Sequence, residues 1–428
     1  MSLAENRGIG RGPCISRRQE AFLKQYMSSR KADLQPEYVV KQLLETARSR
    51  WSFLAFRGIH TSKRILEAVQ RIAHRRHART LKSIHNGLVL SAARRMNLTV
   101  DELPYQILRI SDGKRLVYST DFNFSFESLT AHWMCGNKHL SSTLLRERGI
   151  PVPEFAVYRA KDLASAFSAF HSLRHPVVVK PCFGAGGQGI TVGVRTLPEF
   201  RRACYRAALS ADPVIVEQMV EGRHWRVTLF DGQLVFAHER LPAFVVGDGQ
   251  SSVEALVRRR NNAITERDEF PSAYPIHVDD DTRAALRDQS MTPESVPAAG
   301  QRVILKRICN AGVGGLTVDI SASLHDDYLD LARKAAGAMG ARLAGVDIIG
   351  PDATRPIANG GVFVNEVNTT PGFLDFDVSG SGNAIVYASR LLNMVFAAGS
   401  NATLNCIGNG PANLPTAAGP FSIRERIS

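Results

Sequence analysis

Between Val177 and Val194 the chain reads VVVKPCFGAGGQGITVGV, and this stretch limits the fold more than any other. Three consecutive β-branched residues, Val177, Val178 and Val179, lead into Lys180 and Pro181. Four glycines then fall within six positions, and a second apolar run extends from Ile190 to Val194. Such runs on either side of a glycine cluster predict strand, turn, strand. At Gly184, Gly186, Gly187 and Gly189 there is no Cβ to keep backbone N–H groups away from a phosphate chain, and Lys180 adds a compact positive charge. A nucleotide site is the functional reading, and an ordinary flexible hairpin is the plain one.

The six residues from Gly184 to Gly189 also spell G-x-G-x-x-G. In a dinucleotide fold that fingerprint opens a helix whose N-terminus holds the pyrophosphate. Here an apolar strand follows, so the turn reads as a flap over phosphates and NAD is not expected.

At 428 residues the chain is long enough for two or three domains, and its 44% hydrophobic and 22% charged residues are ordinary for a globular protein. The net charge of +13 is unevenly placed: residues 1–100 hold 20 Lys+Arg against 6 Asp+Glu, and the rest of the chain holds 33 against 34. That asymmetry predicts two parts with different tasks. The six cysteines form no CxxC pair, so neither a zinc site nor a disulfide framework is expected. No run of 18 apolar residues appears and the N-terminus has no apolar signal-peptide core, so no membrane partner and a cytoplasmic setting are expected.

Taken in order, residues 1–100 form a basic, mainly helical region, with apolar residues at helical spacing from Pro36, from Ile65 and from Val89. The run HRRHART, His74 to Thr80, reads either as a solvated helix face or as a surface for nucleic acid or another anionic partner. Residues 101–176 are an α/β part, with a hairpin around Asp112-Gly113 and a helix from Phe126 to Arg148. Residues 177–250 carry the flap and a buried strand ending in Glu217, followed by a hairpin through Asp231-Gly232. Residues 251–398 contain a polar insertion at 261–300, a second glycine-rich turn at Asn310–Gly315 and two acid-bearing strands. Residues 399–428 are a peripheral tail. The fold class expected is α+β.

Glu366 and Asn368 lie two apart on a strand and so project from one face, while Val367 points to the core. Asp347 is on the preceding apolar strand, which the intervening turn residues allow to be an antiparallel neighbour. Three oxygen ligands on one sheet face suit Mg2+, and an acid inside a buried strand has no structural reason unless it is paired. The plain reading is an isolated acid pair at a strand end. No nucleophile with an adjacent base appears, so triad hydrolysis is not suggested.

Together these motifs resemble the ATP-grasp family, and within it the ATP-grasp module of cyanophycin synthetase and of the bifunctional glutathione synthetases. The likeness covers roughly Phe126 to Asn393. It rests on Cys135-Gly-Asn-Lys138 through GIPVP, the VVVKP-glycine flap, VIVEQMVEGRHWRV, the run Leu241 to Gly249, the Asn310 to Gly315 turn and EVNTTPG from Glu366. The resemblance implies two α+β subdomains clasping ATP, and ADP-forming ligation of a carboxylate to an amine through an acyl phosphate. It implies ATP and Mg2+ (or Mn2+) as cofactors and amino acids or small peptides as substrates. Lys138, Lys180 and the flap glycines would hold phosphates; Glu217, Gln218 and Met219 the adenosine; Asp347, Glu366 and Asn368 the metal. Arg226 and Arg240 would orient the acyl phosphate and a substrate carboxylate, with Asn310 donating to the developing charge.

Two departures stand out. His224 occupies the position near the ribose where the family usually has an acid, and Ala311-Gly312-Val313 replaces a Leu-Ser-Thr-like run. No counterpart of the second ligase domain of cyanophycin synthetase is visible, which implies a stand-alone amino-acid or peptide ligase. The alternatives are a non-catalytic ATP-binding protein and a ligase acting on an RNA-linked or leader-peptide substrate through the basic region. Homo-oligomerisation stays open.

Overall fold

The computed structural model describes residues 84–159, 162–184, 186–264, 274–358, 360–373, 384–397 and 402–405. The helices expected from Pro36 and Ile65, and the HRRHART run, lie outside the described residues. The chain divides after Leu81, and everything described belongs to the second unit, Lys82–Ser428.

The second unit opens with helix α1, residues 84–95, whose Leu88, Val89, Ala92 and Ala93 form one buried stripe. Strands β1 (Thr99–Leu103), β2 (Ile107–Ser111), β3 (Arg115–Thr120) and β4 (Asn123–Phe124) then run back and forth as an antiparallel sheet. The expected hairpin at Asp112-Gly113 is there, with Asp112 Oδ1 accepting from the N–H groups of Lys114 and Arg115.

The single helix expected over Phe126 to Arg148 is instead two, α2 (Leu129–Gly136) and α3 (Lys138–Glu147). Asn137 breaks them because its side chain accepts from Leu140 N, and this N-cap competes with continued helix. Strands β5 (Phe155–Tyr158), β6 (Val177–Pro181), β7 (Thr191–Val194) and β8 (Val214–Gln218) form a sheet ordered β5-β8-β6-β7, all antiparallel. Helices α4 (Leu163–Ser172) and α5 (Leu197–Ser210) close its core, and α5 begins with a reciprocal capping box between Thr196 and Glu199.

The third sheet is assembled from β9 (Arg223–Phe230), β10 (Gln233–Leu241), β13 (Leu316–Asp319), β14 (Leu343–Gly350) and β15 (Phe363–Asn368), in the order β13-β10-β9-β14-β15. Between its strands lie the small pair β11 (Phe244–Val246) and β12 (Arg302–Ile304), helix α6 (Val253–Ala263) and helix α7 (Asp280–Asp288). The region 261–300 is more than the surface insertion expected: its Ile276 and Leu286 are buried with Val253, Leu256, Val257 and Val303. Helix α8 (Asp326–Met339) covers one face of the third sheet, and α9 (Ala384–Val395) packs with α1 and the first sheet. Strand β16 (Leu404–Asn405) pairs with β3, so part of the tail is built into a sheet.

Period-two alternation divides the third sheet into unlike faces. Trp225, Val227, Val346, Ile348, Val364 and Val367 point to α8 and meet its Tyr328, Ala332, Ala336 and Met339 in one buried cluster. Each such large apolar side chain contributes about 2 kcal/mol by leaving water. The residues between them, His224, Arg226, Arg240, Asp347 and Glu366, necessarily share the opposite face. That polar face is the floor of the site.

Candidate active site

The flap connects β6 to β7 as the sequence predicts. Gly184, Gly186, Gly187 and Gly189 all have left-handed φ, at 125°, 69°, 79° and 71°. At Gly189 a Cβ would also lie 2.6 Å from Ser210 Oγ, so the turn is closed against the end of α5. On its other side the flap leans on the second glycine-rich turn. Arg307 Nη1 donates to Val192 O at 3.2 Å, and a Cβ at Gly187 would sit 3.8 Å from Ile308 and 4.0 Å from Asn310 Nδ2. Asn310 Oδ1 accepts from Gly312 N at 2.8 Å, which aims the opposite end of that amide at the flap.

The break at Asn137 places Lys138 in the first turn of α3, with its backbone N–H donating to Cys182 O at 2.9 Å. Its Nζ donates to Gly184 O at 2.9 Å and to Glu366 Oε1 at 3.0 Å. Lys180, 7% exposed, ion-pairs with Glu217, 4% exposed, and donates to Asn365 Oδ1 at 3.1 Å. Both predicted phosphate lysines, one from the start of α3 and one from β6, thus reach neighbouring residues of β15. Glu217, expected beside the adenosine, here holds Lys180. The N–H groups of Gln218 and Met219 are taken by Glu154 O and Pro176 O, at 2.8 and 3.0 Å.

On the floor, Asp347 stands opposite Arg226 on one side and Glu366 on the other. Arg226 donates to both its carboxylate oxygens, each at 2.7 Å, and Arg240 adds a third bond at 3.0 Å. Burial alone would push this carboxyl up, but the two guanidinium groups outweigh it and hold the pKa at about 2. Gly345 makes room for the clamp, since a Cβ there would fall 2.8 Å from Pro371 and 3.6 Å from Arg226 Nε. Asn368 faces Gly345 in register, and Thr369 is tied to α2 through His132 Nδ1 at 2.9 Å. Burial, with Arg240 and Lys180 nearby, lowers the pKa of His224 against the pull of Asp347.

Of the predicted metal set, Asp347 and Glu366 face each other in register on β14 and β15, and Asn368 lies on the same strand as Glu366, opposite Gly345. Among the described residues no three His, Cys, Asp or Glu side chains gather. A hard oxygen set fits Mg2+, which keeps several waters and shares its remaining positions with phosphate. Cations already stand against these oxygens: Lys138 on Glu366, Arg226 and Arg240 on Asp347.

The sequence reading missed Asn365 and Arg307. Arg307 carries no signal beyond its charge. Asn365 does carry one, because strict alternation would send it to a buried apolar face, where an amide is costly. A separate open cavity of about 340 Å³, lined by Phe244, Val246, Leu256, Arg260 and Leu316, includes none of the predicted site residues.

A glycine flap and two lysines stand beside the strand that carries Glu366. Comparison with known proteins finds a family match: residues 144–289 match the family described as "D-ala D-ala ligase C-terminus". The chain is homologous to cyanophycin synthetase from Geminocystis herdmanii, with 31% identity over 264 residues, covering 61% of this chain and 30% of that protein. It is also homologous to the glutathione biosynthesis bifunctional protein GshAB of Mannheimia succiniciproducens, 28% identical over 311 residues and covering 70% and 41% of the two chains. The chain thus spans less than half the length of either relative. A bifunctional glutathione synthetase structure from Pasteurella multocida aligns over 69% of this chain and 42% of its own, with 26% identity and a TM-score of 0.48. Among the described residues no helix is long and apolar enough to cross a membrane.

Proposed function

We propose that this chain is an ATP-dependent, ADP-forming carboxylate–amine ligase that joins amino acids or small peptides through an acyl phosphate. The observation that carries the reading is convergence: Lys138 and Lys180, from a helix end and from the flap strand, place Nζ 3.0 and 3.1 Å from Glu366 and Asn365. Those contacts support the reading, because they set both lysines beside the strand that carries Glu366 and Asn368.

In this reading Lys138, Lys180 and the flap N–H groups bind the phosphates. Glu217 and the backbone at Gln218 and Met219 border the adenosine, with His224 near the ribose. Asp347, Glu366 and Asn368 would hold Mg2+, which supplies neutralisation of the charge that builds as the phosphoryl group moves. Arg226 and Arg240 would orient the acyl phosphate and substrate carboxylate, and Asn310 directs its amide at the same charge from the flap side. Reliance on ATP and free amino acids supports a cytoplasmic setting.

The test is phosphate release from ATP by the purified chain given a mixture of amino acids. Release that depends on the mixture and disappears in Glu366→Ala supports ligation, whereas no release above the amino-acid-free blank refutes it. The basic surplus of residues 1–100 favours one addition, contact with an anionic partner such as an RNA-linked or leader-peptide substrate. RNA binding that weakens steeply with salt and is lost on deleting those residues supports that addition, and no binding at low salt removes it.

A further inference from the structure

We propose that Asn365 is a positioning residue for Lys180, turned into the cleft by a β-bulge so that its amide oxygen aims the ammonium group at nucleotide phosphate. The inference relies on the ligase reading only for the ligand that Lys180 meets.

Strand parity leads to it. Val364 and Val367 both lie fully buried in the cluster under α8, yet they are three residues apart, whereas regular alternation returns a side chain to the same face after two. One extra residue must therefore be absorbed between them. The register locates it: Asp347 opposes Glu366 and the next residue, Ile348, opposes Val364, leaving Asn365 without a ladder partner. Bulges of this kind re-aim a side chain, and this one leaves Asn365 free of the core and beside Glu366.

Lys180 Nζ, buried on β6, reaches Asn365 Oδ1 at 3.1 Å and meets Glu217 on β8. An ammonium group has three donors and rotates freely unless its acceptors fix it. With one donor on each of these two acceptors, from two different sheets, the direction of the third is set. The residue type matters as much as its place. Glu217 already balances the charge of Lys180, so a neutral amide orients the ammonium without adding negative charge where phosphate must bind. A carboxylate at position 365 would sit beside Glu366 and repel the ligand.

Equilibrium binding of ADP with Mg2+ to the full chain, read by calorimetry in a double-mutant cycle with Lys180→Met, tests this. Asn365→Ala is expected to weaken ADP about tenfold when Lys180 is present, the size of one hydrogen bond to a charged group, and less than about twofold when it is Met. Asn365→Asp, nearly identical in shape, should bind ADP at least as poorly as Asn365→Ala, and it carries the test if the alanine variant does not fold. Equal losses in both backgrounds, or an Asp variant that binds like wild type, overturn the assignment. A wild-type chain that binds no ADP overturns the ligase reading as well, which separates the two failures.

Discussion

Two pairs of cations face the same acidic floor, and they are held in opposite ways. Arg226 and Arg240 belong to the sheet that carries Asp347 and close on it with three bonds of 2.7 to 3.0 Å. Lys138 and Lys180 come from the flap side and cross to β15, one hydrogen bond each. Guanidinium is a rigid planar fork suited to a fixed carboxylate, and ammonium is a compact charge on a flexible stem suited to exchanging partners. The arginines are therefore part of the frame, whereas in the proposed reading the lysines are what a nucleotide would recruit.

The difference can be broken or sharpened by substitution. The largest effect is expected from Glu366→Ala, which removes the acid Lys138 meets: amino-acid-dependent phosphate release should fall about a thousandfold or more, with the thermal midpoint little changed. Next comes Asp347→Asn. Taking the charge from the clamp leaves two guanidinium groups uncompensated, so urea denaturation should show a loss of about 3 kcal/mol. Lys138→Met, which breaks a crossing contact instead, should change stability by less than about 1 kcal/mol. Equal losses from these two variants would erase the distinction between frame and exchangeable contacts.

Gly189→Ala probes the flap from the other direction. Its left-handed φ of 71° and the 2.6 Å approach to Ser210 predict a loss of about 1–2 kcal/mol, measured by thermal unfolding, and a weaker apparent affinity for ATP. The smallest effect concerns pH. Because the Asp347 carboxyl is held at about 2, below its ordinary value, its contribution to stability is complete above about pH 4 and is lost as pH falls toward 2. Acid titration of unfolding should show that loss in the wild type and a flatter curve in Asp347→Asn.

Much of this was legible in the sequence because it follows from short periods. The alternation of Trp225 and Val227 with His224 and Arg226 marks a strand with one wet and one dry face, and the spacing of Glu366 and Asn368 around Val367 does the same. The glycine flap announces itself through residues that tolerate positive φ. What escaped depends on partners far along the chain or on breaks in period. The helical pattern runs through Gly136-Asn137 without losing phase, so only the capping preference of Asn137 hints at two helices. The clamp on Asp347 joins three strands and needs the empty space over Gly345, and no local pattern reports a vacancy on a neighbouring strand. Asn365 escaped because a bulge shifts parity by one, and its one trace is an amide where an apolar residue belongs.

The central claim, that this cleft activates a carboxylate by phosphorylating it, is tested most directly by oxygen transfer. The chain would be supplied with ATP, magnesium and amino acids labelled with 18O in the carboxylate, and the released phosphate analysed by mass spectrometry. The account predicts one labelled oxygen in phosphate for each amide bond formed. Phosphate that carries no label while ATP is consumed would contradict it.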